Sequence, residues 1–125
     1  MQLNLRLLPD RLSVCRLPAG SGLPDWALSG NFCSVTWTDE ETSVVSAEST
    51  VPAGVESEQG WRALTVVGPL DFGMTGILAS LTRSLADARI SIFAVSTFDT
   101  DYILVRDSML DRAIQALAVC GHRVS

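Results

Sequence analysis

The stretch from Ile90 to Val105 constrains the fold of this chain more than any other. Ile90–Val95 and Tyr102–Val105 are apolar and rich in β-branched residues, which favours strands. The polar connection STFDTD, at 96–101, joins them, and two such runs around a polar turn predict a β-hairpin. One or two residues such as Gly, Asn or Asp are enough to set the dihedral angles of a turn. Because this turn carries five polar side chains around one phenylalanine, we expect a functional site there.

The segments before and after the hairpin each predict one helix and one strand. Trp61–Val67 is typical of a strand, and the apolar positions after it recur at helical spacing. After the hairpin, Ser108 and Asp111 are spaced as a capping box, Gly121 would end a second helix, and 122–124 could form a last strand. This order predicts an α+β, ferredoxin-like βαββαβ sandwich. The helical stripes are Ile77, Leu78, Leu81, Leu85 and Ala88, then Leu110, Ala113, Ile114 and Leu117.

The first half of the chain predicts a sheet with little helix. Leucines alternate with polar residues from Leu3 to Leu7, and we expect a turn at Pro9-Asp10. Asp25–Leu28 is long enough for only one helical turn, and Val51–Gly60 predicts a loop or a short irregular helix. We therefore expect a degenerate, helix-poor ferredoxin-like unit at 1–58 before the complete one at 59–125. Since about 60 residues bury only a modest fraction of their surface, the two units are expected to share a core. The strands predicted here are Leu3–Leu7, Leu12–Leu17, Phe32–Trp37 and Thr42–Ala47.

The charged residues exclude several classes of function. The net charge is −5, and all nine basic residues are arginine. Without lysine the chain can form neither a Schiff base nor a Walker-type phosphate site. No basic residue lies between Leu17 and Trp61, where acidic residues are frequent. Nucleic-acid binding requires basic side chains that neutralise phosphates, so we expect no nucleic-acid partner and interpret the acidic segment as a solvated face rather than a docking surface.

No apolar run approaches the about 20 residues of a membrane span, and the first residues do not resemble a signal peptide. We therefore expect a cytoplasmic protein without a membrane partner.

Few residues could carry catalysis. His122 is the only histidine, no nucleophile motif accompanies it, and we expect it on the surface of the last strand. Cys15, Cys33 and Cys120 lack metal-type spacing and lie in apolar surroundings, so we expect them to be small buried residues. The sequence predicts no enzyme, no metal site and no cofactor.

The segments GPLDFGMTGILASL, at 68–81, and ISIFAVSTFDTDYILV, at 90–105, together resemble an ACT domain of the CASTOR-like branch, which includes cytosolic arginine sensors. The resemblance covers about half of the chain, and in that branch a degenerate ACT-like unit precedes the recognisable one. It implies a ligand-binding regulatory module whose ligand is an amino acid or a related metabolite. The loop at 72–75 lacks the acidic residues that the sensors carry there, which does not favour a long cation such as arginine.

The resemblance also implies where a ligand would bind. In the sensors, the aspartate that matches Asp101 contacts the ligand, whereas Asp99 is expected to be exposed. On the sequence alone, a turn aspartate bonded to its own backbone is the favoured interpretation of Asp101, and the resemblance reverses that preference. Glycines at the start of the first helix would let a ligand approach the helix amides, which attract a carboxylate. The expected ligand-binding residues are Gly73, Thr75, Gly76, Ile77, Ser91, Ile92, Thr97, Phe98 and Asp101.

Since the sensors bind ligand between two such domains and this chain has one, we expect a symmetric homodimer with the ligand at the interface. The alternative is a structural module that dimerises and has no physiological ligand.

Overall fold

The computed structural model describes residues 2–67 and 76–125, and it divides the chain into two compact units. Unit 1 comprises Met1–Pro9 and Arg62–Ser125, and unit 2 comprises Asp10–Trp61. Two long strands belong to both units, β1 (Asn4–Pro18) and β4 (Glu56–Val66). Unit 2 is thus inserted into the sequence of unit 1. The sequence predicts a boundary between residues 58 and 59 and a core shared by the two units, and both remain predictions.

Five further strands and two α-helices complete the secondary structure of the described residues. Short 3₁₀ turns occupy Asp25–Leu28, Glu48–Thr50 and Asp107–Met109. The strands are β2 (Ser34–Trp37), β3 (Glu41–Ala47), β5 (Phe93–Ser96), β6 (Asp101–Arg106) and β7 (Arg123–Val124), and the helices are α1 (Ile77–Asp87) and α2 (Leu110–Val119).

Unit 1 is a ferredoxin-like α+β sandwich, as the sequence predicts. Its strands lie in the order β7-β1-β4-β6-β5. In the hairpin of β5 and β6, Phe93 lies opposite Leu104 and Ser96 opposite Asp101, while β7 runs parallel to the start of β1. Both helices pack on one face of this sheet and bury a single cluster of apolar side chains. That core is Leu3, Leu5, Leu64, Val66, Ile77, Leu81, Leu85, Ile90, Ile103, Val105, Ala113 and Leu117.

Unit 2 has four strands where unit 1 has five, and it contains 3₁₀ turns but no α-helix, which confirms the predicted helix-poor ferredoxin-like unit. Its strands lie in the order β2-β3-β1-β4, and 3₁₀ turns stand at both helix positions. Cys15, Ala27 and Val44 form a small core on the side of the first turn.

Several predicted boundaries are wrong. The turn expected at Pro9-Asp10 does not form, because an extended backbone accommodates the fixed φ angle of proline. Glu56–Gly60 belongs to β4 rather than to a loop, and β5 begins only at Phe93, so Ile90 to Ile92 connect it to α1. The capping box is absent, since a 3₁₀ turn precedes α2 and no side chain caps it. The predicted first helix and the last strand are confirmed.

A close contact in unit 2 gives a test of its packing. A Cβ atom on Gly30 would lie 2.7 Å from Cβ of the buried Ala47. We expect Gly30→Ala to lower the free energy of unfolding by about 1–3 kcal/mol, because the strand must shift to relieve the overlap. Gly22→Ala is the matched control, since its added Cβ would meet nothing within 4 Å. Urea unfolding that shows equal stability for both variants would contradict this packing.

Candidate functional site

The turn between β5 and β6 is closed by its own polar groups. The amide of Thr97 donates to the carbonyl oxygen of Thr100 at 2.8 Å, and the Thr97 hydroxyl donates to the same oxygen at 3.1 Å. The Thr100 amide donates in return to Thr97 Oγ1 at 3.3 Å. These bonds fix the backbone of the turn, and the side chains of Phe98 and Asp99 at its tip are exposed.

Asp101 is bonded across the hairpin. Its Oδ1 accepts a hydrogen bond of 2.6 Å from the hydroxyl of Ser96, the residue directly opposite on β5. The side chain is half-buried, and within the described part of the chain its Oδ2 has no hydrogen-bond partner. Asp101 therefore combines a fixed side-chain orientation with one free carboxylate oxygen. This differs from the alternative in which its side chain bonds its own backbone.

The other predicted site residues differ in exposure. Phe98 is 80% exposed, and Thr97 and Ser91 are exposed as well. Ile92 is half-buried against the core of unit 1. Asp99 is exposed, as predicted. Gly73 and Thr75 lie outside the described residues.

The start of α1 has the backbone that the sequence predicts for a glycine. Gly76 is the N-cap with φ of 82°, a left-handed conformation that glycine adopts without strain. Among residues 2–67 and 76–125 no side chain caps this helix end, and the first amides of an α-helix carry a partial positive charge. The side chain of Ile77 belongs to the core and is 6% exposed. Ile77 can therefore offer a ligand its amide but not its side chain.

Unit 1 also contains a cavity of about 360 Å³ that the sequence did not indicate. It lies where β4 ends beside the hairpin turn. Two lining hydroxyls bond the backbone: Thr65 Oγ1 donates to the carbonyl of Asp101 at 3.2 Å, and Thr100 Oγ1 donates to that of Val66 at 2.8 Å. The lining residues are Arg6, Thr65, Val66, Val67, Asp99, Thr100 and Tyr102.

Two polar residues within otherwise apolar strands could have indicated this cavity. A lone arginine, Arg6, interrupts the leucines of the first strand, and a lone threonine, Thr65, interrupts an apolar strand. Nothing in the sequence shows that the two strands are near each other.

His122 is buried rather than on the surface, so that prediction is wrong. It is 3% exposed, its Nδ1 accepts a hydrogen bond of 3.1 Å from the Leu3 amide, and its Nε2 lies 3.3 Å from the hydroxyl of Ser80. Since Nδ1 accepts, the proton of the neutral ring is on Nε2 and is donated to Ser80. Burial lowers the pKa of His122, because it penalises the charged ring. The ring thus joins Leu3, just before β1, to Ser80 of α1 inside unit 1.

The three cysteines are free thiols, and only Cys15 is buried as predicted. Cys33 is half-buried and Cys120 is exposed, because each lies near the end of an element rather than in its interior. Burial raises the pKa of the Cys15 and Cys33 thiols, which keeps them protonated and poorly nucleophilic at neutral pH.

Within residues 2–67 and 76–125, no group of three or more His, Cys, Asp and Glu side chains could hold a metal ion. In the same residues, neither α1 nor α2 is long and apolar enough to cross a membrane.

Comparisons with known proteins agree with this fold. A family model described as an ACT domain matches residues 56–118, and a second model, for an N-terminal domain, matches residues 10–54. The human protein CASTOR3P is 34% identical over an alignment 113 positions long, which covers 78% of this chain and 69% of that protein. The chain therefore belongs to the ACT domain family, and within it to the CASTOR-like branch.

Solved structures show the same architecture. Protein Atu0741 from Agrobacterium tumefaciens superposes with a TM-score of 0.95 and 37% identity, covering 100% of this chain and 93% of that one. The ligand-free regulatory subunit of aspartate kinase from Thermus thermophilus has a TM-score of 0.60 at 10% identity, covering 89% and 93%. At 10% identity, the similarity to the aspartate kinase subunit shows only that the two proteins share a fold.

Proposed function

We propose that this protein is a non-catalytic, cytoplasmic regulatory module that binds an amino acid or a related metabolite. The observation that carries the proposal is the Asp101 carboxylate, which Ser96 holds in place while Oδ2 stays free. A carboxylate fixed in this way is a ready counter-charge for a ligand ammonium group. Membership in the ACT domain family supports a regulatory role, and the regulatory subunit of aspartate kinase has the same fold.

The ligand carboxylate has a separate candidate partner at the start of α1. The amides that follow Gly76, which no side chain of the described residues caps, attract an anion. We propose that Gly73, Thr75, Gly76 and the amide of Ile77 hold the carboxylate end of the ligand. Thr97 and Phe98 would cover the ligand from the hairpin turn, where Phe98 offers an exposed aromatic face.

A second copy of the chain would complete this site. In unit 1 the strand β5 has β6 on one side and no other strand of the described chain on its other side. An open edge of this kind favours pairing with another chain. We propose a homodimer in which Ser91 and Ile92, just before β5, face the hairpin turn of the partner. A two-fold axis would then create two identical sites.

The same open edge and the exposed Phe98 also favour a second candidate, a module that dimerises without a physiological ligand. Thermal unfolding with single amino acids separates the two. A ligand that binds only the folded state raises the melting temperature by mass action, so our proposal requires at least one amino acid to do so. If none of the common amino acids raises it at millimolar concentration, the structural module is supported instead.

Asp101→Asn tests the site itself. We expect amino-acid affinity to fall about tenfold to a hundredfold, since a charge-assisted hydrogen bond contributes roughly 1.5–3 kcal/mol. The melting temperature of the free protein should change little, because an asparagine oxygen can still accept from Ser96. Calorimetric titration measures the affinity. Unaltered affinity excludes this role, and a large loss of stability without ligand indicates that Asp101 is structural.

A further inference from the structure

The cavity of unit 1 lies on the face of the sheet that the helices do not cover. Ile103 belongs to the core under the helices, and successive residues of a strand point to opposite faces. Tyr102, which lines the cavity, therefore points away from the helices. The same alternation places Thr65, between the core residues Leu64 and Val66, on that face. The cavity is thus separate from the start of α1.

The two threonine hydroxyls give the cavity a defined polarity. Each has its single proton engaged with a backbone carbonyl, Thr65 with that of Asp101 and Thr100 with that of Val66. A hydroxyl that donates its proton still has lone pairs to accept with. Both hydroxyls can therefore offer a ligand only acceptors. The exposed carboxylate of Asp99 is a third acceptor in the lining.

Arg6 supplies the opposite charge in the same cavity. Its guanidinium is a donor only and is suited to a carboxylate. Within the described residues neither Arg6 nor Asp99 forms an ion pair, although both line this cavity. Val67 and Tyr102 add apolar surface to the lining.

We propose that this cavity binds the zwitterion of an α-amino acid within a single chain. The ligand carboxylate pairs with Arg6, and the ammonium group donates to Asp99 and to the threonine oxygens. An apolar side chain rests on Val67 and Tyr102. The volume of about 360 Å³ is at the lower end of small-molecule sites, which suits an amino acid. This site goes beyond the proposed function, because it is complete without a second copy and uses the opposite face of the sheet.

Nuclear magnetic resonance of the full chain, isotope-labelled, tests the proposal. The common amino acids are added singly at millimolar concentration, and any that bind are repeated as the N-acetyl and the carboxamide derivative. We expect amide shifts at Val66, Val67 and Tyr102 with the free amino acid. Both derivatives should bind at least about tenfold more weakly, since each lacks one of the two charges.

Matched variants assign the shifts to the cavity. Arg6→Gln and Asp99→Asn should each weaken binding about tenfold to a hundredfold. Arg16→Gln is the control, because Arg16 is an exposed arginine of the same strand that does not line the cavity. Unchanged melting temperatures without ligand show that the variants fold.

Three results would overturn the inference: no amino acid shifts these amides, the N-acetyl derivative binds as well as the free amino acid, or Arg6→Gln leaves the affinity unchanged. The two proposed sites fail in different ways. Binding lost in Asp101→Asn but kept in Arg6→Gln belongs to the dimer site and overturns the cavity. Binding lost in Arg6→Gln but kept in Asp101→Asn supports the cavity and argues against the dimer site for that ligand.

Discussion

Replacing His122 with alanine is expected to lower the free energy of unfolding by about 2–4 kcal/mol. The substitution leaves the buried Leu3 amide without its acceptor and opens a cavity between β1 and α1. His122→Asn is the matched variant, since its Oδ1 can take the position of Nδ1. We expect it to regain roughly 1 kcal/mol relative to alanine. Urea unfolding followed by circular dichroism measures the difference, and a His122→Ala variant as stable as the original chain would contradict it.

The same ring predicts a pH dependence. Burial lowers the pKa of His122 in the folded chain below the ordinary value of 6.5. At a pH between the folded and the unfolded pKa, the unfolded chain therefore binds more protons than the folded one. Stability from the neutral ring is therefore complete above about pH 6.5 and is lost as the pH falls below it. His122→Asn has no imidazole ring to titrate, so its free energy of unfolding should fall less steeply as the pH is lowered. Equal slopes for both proteins between pH 7 and pH 5 would exclude His122 as the cause.

Introducing a charge on the open edge of unit 1 is expected to separate the proposed dimer. Ala94 is exposed in the middle of β5. In a two-fold pairing of β5 edges, Ala94→Asp brings two negative charges together, and such contacts cost several kcal/mol. We expect the dissociation constant of the dimer to rise at least about a hundredfold. Ile92 is less suitable for this test, because it packs against the core of unit 1 and a charge there would also destabilise the fold.

Light scattering at micromolar concentration measures the assembly. Thr36→Asp is the control, because it places the same charge on an exposed position of β2, the outer strand of unit 2. The dimer should survive that change. A monomeric original chain, with or without a confirmed amino-acid ligand, would contradict the interfacial site, and a dimeric Ala94→Asp variant would place the interface elsewhere.

Local patterns were sufficient for the elements that position the hairpin. The apolar spacing of Leu81 and Leu85 predicted α1, and the apolar, β-branched runs around the polar turn predicted β5 and β6. These predictions succeeded because side-chain periodicity depends only on the backbone geometry of the element itself. The same reasoning failed for Ile90–Ile92. They are apolar like a strand, but Ile90 is buried in the core of unit 1 directly after α1.

The candidate site was predictable only where its residues are consecutive. The turn with Ser96 and Asp101 could be recognised from the sequence, but the hydrogen bond between these two side chains depends on the hairpin register. The structural role of His122 depends on Leu3, which is 119 residues away in the sequence. No local pattern records such a contact.

The sequence by itself determined the ACT-type order of strands and helices, the lack of helices in the first half and the polar hairpin. The tertiary structure decided that β1 and β4 continue through both units, because strand length depends on pairing with neighbouring strands rather than on local propensity. It also decided that Arg6, Thr65 and Asp99 line one cavity. Two different strands and a turn contribute these residues, and only the order of strands in the sheet brings them together.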